Sequence, residues 1–440
     1  MQRFRQLIII LLITYALGQA AEWITSSPVF QIAFPQSITL QDFHWEDFVF
    51  KFREVNHRED RITLINISEG SRREIAEQIE LLSRYQPRVI GLDALFINCF
   101  DSLACPNAGD TVANRKLSDA IRLAGNVVLS ARLHASTSGL LMEREVYDSL
   151  ELSDVQFRHW ANYGFSNLVT SSDLLSGIQC RSYCPLVLID KTLVYSFGVA
   201  VARMYDSIQA NKQIARFTEE EILSYQDELI NFRGNAGTYS YSFFGQVVTK
   251  GSYFDVLDYD DLMGDNFSDE LIRDRIVLLG YLGEEYLADP AFEERFFTPL
   301  NPTLAGRSMP DMLGLVIHAN IISMILNEDY INQLSPFWDF MVMVVVIVLN
   351  ILFFMKLLQR NSVWYDSLCF LIPVVQIVVI SWLRIELLGS FNFRLDLEDI
   401  IYYLAFVTFA INIYFGPWKA LDERMRLQLN RWRQKEDVLN

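Results

Sequence analysis

An α/β domain with a parallel or mixed sheet, anchored by four membrane helices, is the fold class that the sequence predicts. Strand and helix patterns alternate through the middle of the chain, as they do when helical crossovers join parallel strands. Long apolar runs lie at the two ends of the 440 residues, and the middle has the composition of a globular protein. The ends therefore indicate a membrane anchor, and the middle is long enough to bury a core.

The apolar runs predict four membrane helices. The first, residues 7–24, follows two arginines and predicts an uncleaved anchor, although a signal peptide that is removed has the same basic start. Three later runs, at residues 337–358, 364–383 and 400–416, each approach the ~20 residues that cross a bilayer. Tryptophans near their ends fit interfacial anchors.

Basic residues predict the direction of these helices. They lie in residues 1–6, between the second and third runs, and in a basic tail at residues 417–440, and four crossings put all three regions on the cytoplasmic side. The domain at residues 25–336 is then periplasmic, at a bacterial inner membrane. Residues 25–337 hold 25 Lys and Arg against 43 Asp and Glu, and this acidity argues against a nucleic-acid partner.

The elements of this domain follow from periodicity and capping signals. Ser71, with Glu74 three residues later, is the start of a capping box before a helical pattern of apolar residues. Strands are predicted at residues 61–68, 88–93, 126–132, 228–232 and 275–280. Helices are predicted at residues 71–85, 114–124, 195–206 and 315–326.

Candidate ligand-binding residues lie where strands end, because open α/β sheets bind ligands at the carboxyl ends of their strands. Those ends carry Ser68, Glu69, Asp93 and Arg132, although Asp93 could instead cap the turn after its strand. The sequence has no phosphate loop, nucleophile elbow or zinc-protease motif. The acidic residues 284–294 lack the spacing of a calcium loop. We therefore expect no catalytic residue, no cofactor and no metal, and predict that the chain is not an enzyme.

Four of the five cysteines lie in turn-rich stretches of the middle domain, Cys99, Cys105, Cys180 and Cys184. Four cysteines allow three pairings, and local Cys99–Cys105 and Cys180–Cys184 disulfides are the simplest in an oxidising compartment. A four-cysteine zinc site is the alternative, but the usual two-residue spacing is absent.

A set of segments in fixed order carries a family resemblance. They are DFVFKFRE (47–54), PRVIGLDALF (87–96), INFRG (230–234), IVLLG (276–280), Asp289, Thr298-Pro299, Met309-Pro310 and GLVIHAN (314–320). With one helix before them and three after, they resemble the type-two CHASE family, the cyclase/histidine-kinase-associated sensory extracellular proteins. The resemblance implies an α/β ligand-sensing domain outside the cytoplasm. It extends the candidate contacts to Arg233, Asp289, Thr298 and His318.

Family members commonly continue into a kinase or cyclase, whereas here only the short tail is expected after the last helix. We therefore expect a sensor or receptor subunit that transmits ligand or partner binding to a separate protein. The alternative is a non-catalytic structural or scaffold subunit of a bacterial envelope complex. The expected partners are an unknown small ligand or envelope protein outside, a separate signalling or assembly protein, and the lipid bilayer. A homodimer is implied by the resemblance alone.

Overall fold

Two units make up the protein in the computed structural model, residues 42–331 and residues 1–41 with 332–440. The structure describes residues 2–25, 45–53, 57–68, 70–97, 110–135, 147–168, 180–223, 226–237, 239–243, 246–283, 295–301, 310–359, 365–395 and 398–418.

The described strands and helices are named in chain order. The strands are β1 (Glu59–Asn66), β2 (Val89–Leu92), β3 (Val127–Ala135), β4 (Tyr147–Glu151), β5 (Asn162–Phe165), β6 (Ser182–Tyr183), β7 (Leu186–Ile189), β8 (Thr192–Tyr195), β9 (Glu228–Leu229), β10 (Tyr239–Phe243), β11 (Gln246–Lys250), β12 (Phe254–Leu257), β13 (Ile276–Gly280), β14 (Arg295–Phe296), β15 (Met312–Leu313), β16 (Asn332–Gln333) and β17 (Phe393–Arg394). The helices are α1 (Gln2–Thr25), α2 (Trp45–Phe52), α3 (Arg72–Arg84), α4 (Thr111–Ala124), α5 (Val155–Arg158), α6 (Phe197–Tyr205), α7 (Ser207–Ile214), α8 (Glu219–Leu223), α9 (Tyr259–Met263), α10 (Gly314–Leu326), α11 (Pro336–Gln359), α12 (Tyr365–Phe391) and α13 (Glu398–Ile413).

A mixed sheet lies at the centre of residues 42–331, with strand order β12-β1-β13-β2-β3-β4 and with β5 also paired to β3. The strands β12, β1, β13, β2, β3 and β5 run parallel, and β4 pairs antiparallel with β3. The predicted α/β class and mixed sheet are confirmed. The strand β13, late in the chain, lies between β1 and β2, so the first crossover skips one strand.

Helices cover both faces of the sheet. The apolar sides of α3 and α4 pack on one face in a continuous buried cluster. The other face carries α6 and α10, which contact β2 and β13 respectively. Two glycines permit this approach, because a Cβ on Gly91 would meet Val201 of α6 at 3.1 Å and one on Gly280 would meet Leu315 of α10 at 2.9 Å. The sheet is therefore a buried layer between helices, as parallel sheets are.

The start of α3 has the capping box that the sequence predicts. The Ser71 hydroxyl accepts from the Glu74 backbone at 3.4 Å, and the Glu74 carboxylate accepts from the Ser71 backbone at 2.6 Å. These bonds satisfy amides that a helix start leaves without partners.

One predicted strand does not join the central sheet. Residues 228–232 form strand only over Glu228–Leu229, which pairs antiparallel with β6. The carbonyl of Phe232 instead accepts from the Arg53 guanidinium at 2.8 Å, and the side chain of Asn231 accepts from the same guanidinium at 2.7 Å. These bonds replace strand pairing with a loop held by side chains.

The second unit is a helical bundle of α1, α11, α12 and α13. Three of its helices are long and apolar enough to cross a membrane, over Phe4–Ala21, Phe337–Gln359 and Ser367–Phe391. The shorter α13 packs closely on α1, since a Cβ on Gly18 would lie 2.2 Å from the Tyr403 ring. Gln376 of α12 donates to Asn350 of α11 at 2.8 Å, and polar side chains often form such bonds between apolar helices.

The helix α12 continues beyond residue 383, where the hydropathy pattern predicts its end. Arg384, which follows the apolar run, is buried, and its Nε donates to the carbonyl of Leu395 at 3.1 Å. The charge of Arg384, which suggests a loop in the sequence, is thus hydrogen-bonded to a backbone oxygen. The helix continues and ends at Phe391.

Candidate functional site

The carboxyl ends of β1, β13 and β2 meet at one edge of the sheet, here called the carboxyl edge. The side chain of Asn66, the last residue of β1, is buried and accepts from the backbone of Ser68 and of Leu282, both at 3.0 Å. It also donates to the carbonyl of Gly283 at 2.7 Å. Asn66 therefore joins the segments that follow β1 and β13.

The backbone at this edge is conformationally unusual. Ser68 has φ 50°, in the left-handed region that residues with a side chain rarely adopt, and Gly283 has φ 93°. Both follow strands that Asn66 joins. Such backbone conformations concentrate at turns and binding sites, where the surrounding contacts hold them in place. Two tight segments thus follow β1 and β13 at the carboxyl edge.

Asp93 lies across β13 from Ser68. Its backbone N–H donates to the carbonyl of Leu279 at 2.8 Å, while that of Ile67, on the opposite side, donates to Gly280 at 3.0 Å. Ser68 and Asp93 therefore flank the end of β13. Neighbouring strands lie about 4.8 Å apart, so two strand spacings of about 10 Å separate them.

His318 brings a buried imidazole to this region from α10. Its side chain is 2% exposed, and its ring meets Phe197 edge-on at 5.2 Å. It is hydrogen-bonded with the backbone of Ser166, and its Nδ1 has no hydrogen-bond partner among the described residues. Burial lowers the pKa of His318, although the nearby carboxylate of Asp93 acts in the opposite direction. The imidazole is therefore neutral at pH 7 and can offer Nδ1 as an acceptor.

Ser130 and Ser166 add hydroxyl groups next to His318. The Oγ atoms of Ser130, on β3, and Ser166, directly after β5, are 2.7 Å apart. The carboxyl edge thus combines a carboxylate, a neutral imidazole and paired hydroxyls, a set that can hydrogen-bond a small polar ligand.

The other described candidates lie elsewhere. Arg132 is exposed, on the part of β3 that pairs with β4, opposite Glu151. Thr298 is buried, and its N–H and hydroxyl both donate to the carboxylate of Asp311, at 2.8 and 2.5 Å. Arg233 forms an ion pair with Asp329. Glu69 and Asp289 lie outside the described residues.

Two polar residues organise these loops. Sequence reasoning missed Asp311, whereas Asn320 ends the GLVIHAN segment that carries the family resemblance. Asp311 is half-buried beside Thr298 and Asn301, and desolvation raises its pKa to about 6. Asn320 is fully buried, and it accepts from the backbone of Arg233 at 2.9 Å and donates to the carbonyl of Gly234 at 3.0 Å. In the sequence, Asp311 lies just before the apolar residues that start α10, and Asn320 lies just after them.

The predicted Cys180–Cys184 disulfide is wrong for this structure, in which both side chains are buried free thiols. Each sulfur instead points at a backbone oxygen two residues ahead, Cys180 at Ser182 (3.7 Å) and Cys184 at Leu186 (3.4 Å). Burial raises the pKa of Cys184 to about 12, so its thiolate is scarce at neutral pH. Cys99 and Cys105 lie outside the described residues.

The described side chains offer no metal centre. Within the parts of the chain that the structure describes, no group of three His, Cys, Asp or Glu residues could hold an ion.

Comparison with known proteins identifies one family. The family model for the CHASE2 domain matches residues 8–354 and confirms the resemblance found in the sequence. No match is found among curated proteins or among solved structures.

Proposed function

Because the chain belongs to the CHASE2 domain family, we propose that it is a membrane-anchored sensor that binds a ligand or partner outside the cytoplasm and transmits this to a separate protein. CHASE2 is a sensory domain family, not a catalytic one. Four crossings, with α13 as the fourth, put both termini in the cytoplasm of a bacterium, since the basic segments then share one side. The domain is then periplasmic.

The observation that carries the proposal is the course of α10 through the α/β domain. Every residue from Leu315 to Leu326 is buried. His318 reaches the carboxyl edge, whereas Ser323, further along the helix, donates to the Glu59 carboxylate at the start of β1 at 2.6 Å. The chain then continues through residues 327–335 into the membrane helix α11.

This arrangement supports transmission by displacement of α10. Close-packed interiors respond to strain by shifting whole elements, because they contain few voids to absorb it. A ligand that prefers one position of α10 shifts the population of that position. The Glu59 carboxylate, which also pairs with Arg61 at 2.7 Å, holds the far end of α10 to β1. A shift of α10 would change the contact between Ser323 and Glu59.

A thermal-shift screen of small polar compounds on the full-length protein in mild detergent tests the proposal. The variants are Asp93→Asn at the carboxyl edge and, as control, Asp60→Asn, which removes an exposed carboxylate at the start of β1. A ligand should raise the unfolding midpoint of the wild type and of the control by mass action, and should fail to raise that of Asp93→Asn. An equal shift in all three proteins, or no shift with any compound, would contradict a carboxyl-edge site.

A scaffold role in an envelope complex is the second candidate, and a surface patch favours it. Leu123, Val155 and Trp160 are 72%, 63% and 44% exposed, and the Arg122 guanidinium lies 5.9 Å from the centre of the Trp160 ring. Exposed aromatic and arginine side chains are enriched where proteins bind each other.

A further inference from the structure

Three cationic side chains come together away from the carboxyl edge, and are here called the cationic cluster: Arg53, Arg233 and Lys250. Arg53 follows α2, Arg233 lies in the loop after β9, and Lys250 ends β11. The Lys250 ammonium donates to the carbonyls of Lys51 at 2.7 Å and of Arg53 at 2.9 Å.

The loop that carries Arg233 is fixed from several sides. The carboxamide of Asn320 binds the backbone of Arg233 and Gly234. A Cβ on Gly234 would lie 2.4 Å from Cβ of Tyr253, so the loop is pressed against that residue. Asn231 joins the Arg53 guanidinium to the backbone of Asp329, accepting from the first and donating to the second, both at 2.7 Å. The cluster is therefore preorganised by buried polar contacts.

Arg53 lies close enough to both Arg233 and Lys250 for their charges to repel. Burial and the charge of Arg233 lower the pKa of Arg53 to about 9. Burial and the charge of Arg53 lower the pKa of Lys250. The carboxylate of Asp329 pairs with Arg233, whereas neutral carbonyl oxygens hold Lys250. Partly buried cations of like sign destabilise a fold unless an anion compensates them.

We propose that the cationic cluster binds a phosphate group, carried either by a soluble phosphate compound or by a phospholipid headgroup. Guanidinium groups bind the oxygens of phosphate in a bidentate manner, and an ammonium adds a point charge. Lys250 has three N–H donors, of which two are bound to carbonyls. Arg233 has five, and among the described residues its guanidinium pairs with the Asp329 carboxylate, so within this part of the chain donors remain on both residues for an oxyanion.

The proposal has a direct consequence for Asp329. A bound phosphate competes with this carboxylate for Arg233. Asp329 lies in the segment that joins α10 to α11, so the anion would loosen a contact in that segment. The phosphate site is separate from the carboxyl edge, and its failure would leave the proposed sensor function standing.

Thermal unfolding of the full chain in an uncharged detergent, titrated with inorganic phosphate, tests the site. Sodium chloride at matched ionic strength controls for screening. Lys250→Gln removes a cluster charge. Lys212→Gln is the matched control, because Lys212 is 51% exposed and pairs with Glu328 outside the cluster. Arg53→Lys, which keeps the charge and loses the fork of donors, serves if Lys250→Gln fails to fold.

We expect phosphate to raise the unfolding midpoint of the wild type and of Lys212→Gln above the chloride value. Lys250→Gln or Arg53→Lys should need at least tenfold more phosphate for the same rise. The proposal is overturned if phosphate acts no differently from chloride on the wild type, or if both cluster variants respond like Lys212→Gln.

Nanodiscs distinguish the two sources of phosphate. If a headgroup occupies the cluster, phosphatidylglycerol nanodiscs should stabilise the wild type relative to phosphatidylcholine nanodiscs and abolish the response to added phosphate. If the ligand is soluble, added phosphate should stabilise the wild type equally in both lipids. Either result supports a phosphate site if the same stabilisation is missing in Lys250→Gln or Arg53→Lys. The absence of both effects in the wild type overturns the proposal.

Discussion

Asp311 accepts two hydrogen bonds from one residue, Thr298, whose backbone N–H lies 2.8 Å from Oδ1 and whose hydroxyl lies 2.5 Å from Oδ2. Together with the short pairing of β14 and β15, these bonds close the loop that precedes α10. Asp311 is half-buried, and desolvation of its carboxylate raises the pKa to about 6.

This pKa predicts how stability changes with pH. Because it exceeds the value of about 4 for an exposed aspartate, the folded state binds more protons than the unfolded state between these two values. The penalty for burying the carboxylate is present above pH 6 and disappears as the pH falls towards 4. Acidification from pH 7.5 to 4.5 should therefore favour the wild type over Asp311→Asn by about 2 kcal/mol. Parallel pH profiles of the two unfolding midpoints would contradict this.

His318 should have the opposite effect. Its folded-state pKa is lowered by burial, so the unfolded chain takes up a proton that the folded protein excludes as the pH falls below about 6.5. The His318→Phe variant keeps an aromatic ring beside Phe197 and removes the titration. The wild type should lose stability relative to this variant between pH 7.5 and 5. Unfolding midpoints across that range measure the difference, and a constant difference would mean that the imidazole is not buried and neutral.

Asn320 should be one of the most sensitive positions in the domain. Replacing it with Leu leaves the Arg233 N–H and the Gly234 carbonyl without their buried partner, at a cost of about 2–4 kcal/mol. Urea unfolding of full-length protein in detergent measures this loss. The control is Asn162→Leu, at the exposed start of β5, which should cost about 0.5 kcal/mol or less. Equal losses for the two variants would show that the Asn320 contacts do not stabilise the fold.

The Asn350–Gln376 hydrogen bond should couple α11 to α12 within the bundle. Interhelical hydrogen bonds in membrane proteins contribute about 0.6–1.7 kcal/mol. A double-mutant cycle with Asn350→Leu and Gln376→Leu, read from unfolding in mixed micelles, should give a coupling energy in this range. Additive effects of the two changes would contradict the contact.

Much of the fold could be predicted, because its signals are local. The Ser71–Glu74 capping box, the helical spacing of α3 and the alternation of β1, α3, β2, α4 and β3 depend on residues close in sequence. The structure confirms each of these elements. The resemblance also predicted the family correctly.

The parts that could not be predicted depend on contacts distant in sequence. Nothing local to residues 276–280 places β13 between β1 and β2. Arg233 forms an ion pair with Asp329, and its backbone N–H donates to Asn320. Both partners lie far from Arg233 along the chain. The cysteine spacing fitted a disulfide, but backbone carbonyls accept from Cys180 and Cys184 instead. The strand-end rule correctly placed Ser68 and Asp93 at one edge of the sheet, and their contact with a ligand stays a prediction. The rule could not show that Thr298 binds Asp311.

Affinity purification of the full-length protein from native membranes in mild detergent, with mass spectrometry of the proteins recovered, tests the proposed sensor function most directly. We predict that a signalling enzyme or its regulator is recovered with the wild type, because a sensor needs a protein that reads its helices. Recovery of envelope-assembly or secretion proteins in fixed ratio, without any signalling protein, would contradict the sensor function and favour a scaffold.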